Sequence, residues 1–390
     1  MSEVYYCKNC GGVMEFDAET QGLKCPNCGT EEKIENNSQA VQEHKLTDYA
    51  KRTIRAEEKK SSTMQCPSCG AIVEVEATST AKDCPYCGTP FVLAEKQLSN
   101  VVPDGVVPFR VDKKKVGELF RKWMKGRWLA PGELKHLYQQ DKLQGIYIPY
   151  WTFDAEASAD YHAEGGTDHQ VEYKDSKGER HVRTETRWRP TSGHVSEFFD
   201  DVLVHASDRL SDRLISGIEP FDTMNIPAYS PDYLSGYSSE VYTVDLQDAH
   251  RTARNEMRRE LERQAERDVL SRYDHVRNLR MDDRYRKETY KHVLLPVYAT
   301  AYYYKNKKYT VLINGQSGRI DGEYPKSPAK IVLLILLALM IIGIFFMAIG
   351  GSDEDYGAVY RENKAVCQAE YEETDVLLPD AVYVMTEVEV

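Results

Sequence analysis

The chain has 390 residues, which is more than one hydrophobic core usually organises, so we expect two or three globular units with connecting segments. Its formal net charge of −12 excludes the simplest basis for nucleic-acid binding, which is a clustered excess of Lys and Arg. Eleven acids against two bases after residue 352 give the C-terminal tail a net charge of −9. The acidity is therefore concentrated at one end.

Eight of the nine cysteines form four Cys-x-x-Cys pairs before residue 90. The first quartet is Cys7, Cys10, Cys25 and Cys28, and the second is Cys66, Cys69, Cys84 and Cys87. Each member of the second quartet follows its counterpart by 59 positions, which indicates an internal repeat. Paired turns of this kind deliver the four thiolates of a tetrahedral zinc site, and the polar start of the chain favours a reducing compartment. We predict two structural Zn²⁺ ions, with redox disulfides and iron as alternatives.

These pairs predict zinc ribbon 1 at residues 1–36 and zinc ribbon 2 at residues 64–97, joined by a helical linker at residues 37–63. A glycine follows the second cysteine of each pair, and a residue without a Cβ can take the positive φ that lets backbone N–H groups turn toward the sulfurs. Four thiolates close the coordination sphere, so zinc should stabilise the fold and do no chemistry. Ribbon 1 has a net charge of −4, which favours docking of proteins over binding of nucleic acid.

Residues 98–327 predict a central α+β cytoplasmic domain. Asp112 is a candidate N-cap for a helix that runs to about Trp128, and Pro131 favours the start of another. The stretch "GIYIPYWTFDAEASADYHAEGG" alternates apolar and polar residues and predicts β-structure, which continues to Trp188. Residues 205–217 predict a further helix.

A charge-dense segment from about Asp245 to His292 predicts one long helix, since its acids and bases are spaced for i,i+4 pairs. The following stretch, "LLPVYATAYYYKNKKYTVLINGQSGRIDGEYP", predicts two strands joined at "KNKK" and a turn at Asn314–Gly315. The central domain should therefore end in β-structure shortly before the membrane segment.

Catalytic motifs are absent from this sequence: there is no P-loop, no His-Glu-x-x-His and no Gly-x-Ser-x-Gly. His162 and His169 lie near Asp160 and Asp168 and form the one candidate for a further metal site, although most such histidines are ordinary surface or core residues. We therefore expect a protein without enzymatic activity, and no catalytic residue is assigned.

The run "IVLLILLALMIIGIFFMAIGG" predicts a transmembrane helix at residues 329–350, because it carries no charge and is long enough to cross a hydrocarbon core. Lysines precede this run and Asp353, Glu354 and Asp355 follow it. Positively charged flanks stay in the cytoplasm, so we expect a single-pass protein of the cell membrane with a cytoplasmic N-terminus. Residues 351–390, which include Cys367, would then form an acidic tail outside, mostly disordered or used as a partner-binding strand.

The order of "CPSCG…CPYCGTPF", "VVPFRVDKKKV…FRKWMKGRW", "GIYIPYWTFDA", the "NGQSG" stretch and one following span resembles a bacterial family of membrane-anchored zinc-ribbon proteins. Members of that family are often labelled as having a TFIIB-type or primosomal-helicase-like zinc ribbon. The resemblance covers roughly residues 60 to 350, and the helicase label does not transfer to a chain without a nucleotide-binding motif. Some members look associated with phage-shock-protein-A-type envelope stress systems, so the resemblance implies a partner similar to phage shock protein A.

Together these observations predict a multidomain protein with two small four-cysteine zinc ribbons, a central α+β domain and one transmembrane helix. The predicted function is a non-enzymatic adaptor that docks cytoplasmic or membrane proteins at the inner face of the lipid bilayer, where tethering raises their effective concentration. The alternative is a membrane-tethered regulator that binds nucleic acid.

Overall fold

The computed structural model divides into two compact units, Met1–Pro325 and Lys326–Val390. The residues that it describes are 5–34, 41–48, 61–66, 72–74, 81–84, 90–92, 96–98, 101–133, 143–174, 176–305 and 307–350. Most of the predicted linker and all of the predicted tail therefore lie outside the described residues.

Strands dominate the described part of the first unit. They are β1 Glu15–Asp17, β2 Gly22–Lys24, β3 Glu31–Lys33, β4 His44–Lys45, β5 Ser61–Gln65, β6 Ile72–Glu74, β7 Ala81–Asp83, β8 Pro90–Val92, β9 Lys96–Leu98, β10 Gly105–Val106, β11 Gln144–Lys174, β12 Arg180–His205, β13 Ser238–Glu240, β14 His275–Tyr304, β15 Lys307–Asn314 and β16 Ile320–Gly322. The α-helices are α1 Lys113–Gly126, α2 Asp212–Ile218 and α3 Leu246–Leu270 in the first unit and α4 Pro328–Gly350 in the second. Short 3-10 helices cover Leu46–Asp48 and Pro231–Leu234.

Three very long strands form the frame of the first unit. β11 has 31 residues and runs antiparallel to β12 on one side and to β14 on the other. β14 also pairs with β15, and β15 pairs with β16. The short strands β10 and β4 each pair with other residues of β14. β13 pairs with β11 and with β6, so fragments of the second cysteine repeat join the same sheet. The result is a broad sheet at one end and a long antiparallel ribbon at the other.

Helix α3 lies along the ribbon of β11, β12 and β14. Every fourth residue of the helix is buried: Ala249, Ala253, Met257, Leu261, Ala265 and Val269. They pack on alternate residues of β11, from Trp151 and Phe153 at one end to Tyr161 and Ala163 at the other. Alternate strand residues share one face of a sheet, and the alanines on both elements let the two backbones approach closely.

The prediction of one helix from Asp245 to His292 is wrong beyond Leu270. Residues 275–304 form β14, whose side chains Leu279, Met281 and Tyr285 alternate toward α3. The many charged residues of this segment are spaced as in a helix, which makes the alternation difficult to recognise in the sequence. Pairing with β11 nevertheless makes the segment a strand.

The prediction for α1 is confirmed. The Asp112 carboxylate accepts a hydrogen bond from the Lys115 N–H at 2.8 Å, and the helix ends at Gly126. Its buried face contains Val116 and Phe120, as the spacing predicts. The helix expected at 205–217 is shorter than predicted, because only Asp212–Ile218 is helical, and the helix expected from Pro131 lies largely outside the described residues. The hairpin at "KNKK" is confirmed by the pairing of β14 with β15.

The second unit contains one described element, the apolar helix α4. Its stretch Pro328–Phe346 is long and apolar enough to cross a membrane, and none of that stretch is buried in the fold. The helix begins within one residue of the predicted boundary and ends at the same residue, Gly350.

Candidate metal centre

The first cysteine quartet lies on two turns of identical construction. Cys7 N–H donates to Gly12 O at 2.7 Å and Gly11 N–H donates to Cys7 O at 2.8 Å. The second turn repeats this pattern, with Cys25 N–H on Thr30 O and Gly29 N–H on Cys25 O, both at 2.9 Å. Gly11 and Gly29 have φ angles of 73° and 74°, in the left-handed region where a Cβ is unfavourable. The positive φ predicted for glycine at these two positions is therefore confirmed.

The four sulfurs of this quartet lie close together. Cys7 Sγ is 3.5 Å from Cys28 Sγ, Cys10 Sγ is 3.5 Å from Cys25 Sγ, and all four lie within 4.8 Å of one another. A zinc ion with Zn–S bonds of about 2.3 Å places its tetrahedral sulfurs about 3.8 Å apart, so the arrangement fits a four-thiolate metal site. Cys7 and Cys25 are buried, whereas Cys10 and Cys28 are exposed. A bound ion would stabilise the fold of residues 5–34 through these four bonds.

Hydrogen bonds within the quartet prepare two of its thiols for deprotonation. The Thr30 hydroxyl and N–H lower the pKa of Cys28 to about 6. Backbone N–H groups of Cys10 and Asn9 lower the pKa of Cys7. The Gly12 N–H lowers the pKa of Cys10, but the thiols of Cys28 and Cys25 outweigh it and raise that pKa to about 12. Because thiolates are the metal ligands, the lowered pKa values of Cys28 and Cys7 favour metal binding, whereas the raised pKa of Cys10 opposes it until the metal displaces that proton.

Residues 5–34, which hold this quartet, pack against the 3-10 helix Pro231–Leu234 and its flank in the same unit. Phe16 lies 5.4 Å from the Tyr233 ring, and its N–H donates to Ser235 O at 3.0 Å. The Ser235 hydroxyl donates to Met14 O at 2.7 Å, and the Gln21 side-chain amide donates to Phe109 O at 2.8 Å. The buried apolar residues of the first cysteine module, residues 5–34, are thus used for contacts inside the protein, whereas Tyr6 and Val13 are exposed.

The second quartet is described in part. Cys66 and Cys84 are buried, each about 1% exposed, and belong to one apolar cluster with Val73. Cys69 and Cys87 lie outside the described residues, so the second predicted zinc site stays a prediction.

The structure does not bring His162 and His169 together in a metal site. Both lie on β11, seven positions apart, which corresponds to about 23 Å along a strand. Asp160 accepts a hydrogen bond from His194 at 2.7 Å, and Asp168 is bonded to His275 at 2.9 Å. These four polar groups are parts of separate cross-strand pairs on the sheet surface.

A group of three carboxylates was missed by the sequence analysis. Asp154, Asp200 and Asp201 meet where the ladder between β11 and β12 is bulged. The Lys291 ammonium lies 2.6 Å from Asp201, and the Thr289 hydroxyl donates to Asp154 at 2.8 Å. Burial and the two neighbouring carboxylates raise the pKa of Asp200. Only the adjacent pair "DD" is visible in the sequence, because the contact depends on the register of two distant strands. The lysine supplies a positive charge to this group.

The chain is 29% identical over 328 residues to a protein described as "Uncharacterized protein YdjG" from Bacillus subtilis (strain 168), and the match covers 84% of this chain and 91% of that protein. No protein-family model matches the chain, and no solved structure matches it. The match covers nearly the full length of this relative, and the relative's name states no activity.

Proposed function

We propose that the protein is a non-enzymatic, membrane-anchored zinc-ribbon adaptor that holds cytoplasmic protein partners at the inner face of the membrane. In this proposal α4 is a single transmembrane helix. The lysines that precede it keep the first unit in the cytoplasm, and the acidic tail lies outside. The length of α4 and the absence of burial between Pro328 and Phe346 support its role as a membrane anchor.

Two zinc ions stabilise the first unit in this proposal, one at each cysteine quartet. Four thiolates leave no open coordination position, so the ions have a structural role. The buried apolar face of the first cysteine module, with Met14, Phe16 and Leu23, belongs to the main core, so that face is unavailable to a partner. The partner surface is therefore better placed elsewhere in the first unit.

The observation that carries the proposal is the bare end of the long ribbon. β14 begins at His275, opposite Gly166, so beyond this pair only β11 and β12 continue. Residues 167–174 pair with residues 180–187 for about 26 Å, and no side chain of these two stretches is buried. A two-stranded hairpin is marginally stable alone in water, and its open edges are suited to pairing with another chain. We name residues 167–187 the bare hairpin.

The composition of the bare hairpin favours a protein partner. It carries five Lys or Arg and five Asp or Glu, a net charge of zero, which offers no electrostatic gain on a polyphosphate chain. Tyr173 and Val182 are exposed at 43% and 59%. An exposed aromatic within a balanced charged rim is typical of a protein–protein contact.

The proposal is tested by affinity purification of the full chain from native membranes. A partner should be recovered with the wild-type chain and lost with Tyr173→Ala combined with Val182→Asp. Phe198→Ala, an exposed apolar residue on the part of β12 that is supported by β11, β14 and α3, serves as the matched control. The recovered protein, once purified, should bind the wild-type chain and the control directly with the same Kd.

Equal recovery of every protein by the hairpin variant would contradict the proposal. Binding of DNA or RNA with a steep dependence on salt would favour the nucleic-acid regulator instead. The resemblance described above supports a place in an envelope stress response, with a partner similar to phage shock protein A, and identification of the recovered protein tests that part.

A further inference from the structure

Helix α1 and its flanks form a strongly basic segment in an acidic chain. Residues 110–128 contain eight Lys or Arg against Asp112 and Glu118, a net charge of +6, whereas the whole chain carries −12. The excess is therefore a local feature of one helix.

The apolar side of α1 is already used inside the protein. Val116, Phe120 and Met124 are buried in the main core, so the cations project from the opposite side. We name this side, Lys114, Lys122 and Lys125, the basic face. In the described part of the chain, Lys114, Lys122 and Lys125 have no acidic side chain within salt-bridge distance, whereas Lys115 pairs with Glu118 at 3.5 Å. The charge of the basic face is thus largely unbalanced by the fold.

The last turn of α1 packs on a residue that shortly precedes the apolar helix in the chain. The Trp123 ring lies 6.2 Å from the Tyr324 ring, edge to face, and the Arg127 guanidinium lies 5.4 Å from the centre of that ring. Four peptide units connect Tyr324 to Pro328, where α4 begins, and an extended chain of that length spans at most about 14 Å. Chain connectivity therefore keeps α1 within reach of the headgroup layer that a transmembrane α4 would enter.

We propose that the basic face of α1 binds the anionic phospholipid headgroups of the bilayer that α4 crosses; this rests on the membrane anchor of the proposed function. A cation close to an anionic lipid surface strengthens binding about fivefold. Trp128, at the end of α1, is 60% exposed, and tryptophan prefers the membrane interface. Two contacts, the span and the basic face, would then fix the rotation of the first unit over the membrane.

Lipid is favoured over nucleic acid because the surrounding protein is acidic. A duplex longer than this helix of about 21 Å would also face the rest of the first unit, which carries a net charge of −11 outside residues 110–128. Lipid headgroups present the same phosphate groups in a flat layer at the point where the chain enters the bilayer. A lipid surface there does not need to extend along the acidic remainder of the first unit.

The test uses the full chain reconstituted in vesicles of phosphatidylcholine alone or of an equal mixture with phosphatidylglycerol. An amine-reactive, membrane-impermeant reagent labels lysines, and peptide mass spectrometry gives the rate at each one. We expect Lys114, Lys122 and Lys125 to label at least about fivefold more slowly in the anionic vesicles, with the difference lost in high salt. Lys174 on the bare hairpin is the internal control and should label at one rate in both.

A variant pair separates charge from fold. The triple variant Lys114→Gln, Lys122→Gln and Lys125→Gln should bring Trp128 less close to the membrane. Lipids that carry a spin label at the headgroup should therefore no longer quench the fluorescence of Trp128 in this variant. The matched control of Lys174→Gln, Arg180→Gln and Arg187→Gln removes three exposed cations of the bare hairpin and should leave it unchanged.

Equal labelling in both vesicles, for chains that resist alkaline extraction, would overturn this inference and leave the membrane anchor standing. Protection of the same lysines by duplex DNA but not by anionic lipid would also overturn it. Release of the chain by alkaline extraction would overturn the anchor itself, and with it this inference.

Discussion

Gly29 shows how much one backbone angle contributes to the cysteine turn. Its φ of 74° lies in the region that a Cβ disfavours by about 1–2 kcal/mol, and no atom lies within 4 Å of where that Cβ would be. The strain is therefore conformational and does not come from a clash.

Gly29→Ala should lower the zinc affinity of the first site about tenfold, because about 1.4 kcal/mol of strain opposes the metal-bound turn. Competition with a chelator of known affinity measures this. Gly132→Ala, which has equal space and no positive φ, should leave the affinity unchanged. Equal affinities for Gly29→Ala and wild type would show that the turn relaxes without cost.

Glu288 ties β14 to α3. Burial alone would raise the pKa of Glu288, but hydrogen bonds from His250 at 2.5 Å and from Arg254 at 2.9 Å lower it to about 2. A depressed pKa adds stability that is complete above the ordinary value of 4.5 and is lost as the pH falls toward 2.

Between about pH 6 and about pH 3 the wild-type chain in detergent should lose about 1–2 kcal/mol of unfolding free energy through this group. Glu288→Gln should remove that part of the acid dependence, as read from urea unfolding at each pH. Glu262→Gln, which removes a half-buried carboxylate beside Arg258, should keep the wild-type slope. An unchanged slope for Glu288→Gln would place the acid dependence elsewhere.

The elements were predictable where local chemistry decides them. Asp112 marks the start of α1, and the cysteine spacing marks both turns of the first site, because caps and ligand pairs involve residues close in sequence. The first part of β14, residues 275–292, was not predictable, since its alternation of Leu279 and Met281 is sparse among charges and β11, with which it pairs, lies more than 100 residues away. The group of carboxylates at the β11–β12 bulge was not predictable either, because it forms only when two strands that are distant in sequence pair.

The contact between α3 and β11 depends on small residues, so one large side chain in it carries much of the packing. Leu261 is fully buried and packs on Ala157 and Ala159. Leu261→Ala should cost about 2–4 kcal/mol, since neither alanine can fill the space. Urea unfolding measures the loss, and the exposed Asn255→Ala in the same helix should change stability by less than about 0.5 kcal/mol. Similar values for both variants would mean that α3 moves in to close the cavity.

For the whole molecule, the topology predicted from the charged flanks places Cys367 outside the cell and the eight paired cysteines inside. A membrane-impermeant maleimide applied to intact cells should therefore label one cysteine of the nine. Cys367→Ser should abolish the signal, whereas Cys10→Ser should leave it unchanged. Labelling of the Cys367→Ser chain in intact cells would show that the paired cysteines lie outside, which is the opposite of the predicted topology.

The first cysteine module also constrains the order of events during synthesis. Its Met14 contacts Ser235, a partner 221 residues later in the chain. At about 5–20 residues per second, the ribosome needs roughly 10–40 seconds to supply that partner. Over this interval the nascent module exposes Phe16 to water, so early capture of a metal ion by the four cysteines and shielding by a chaperone should both favour the yield of folded protein.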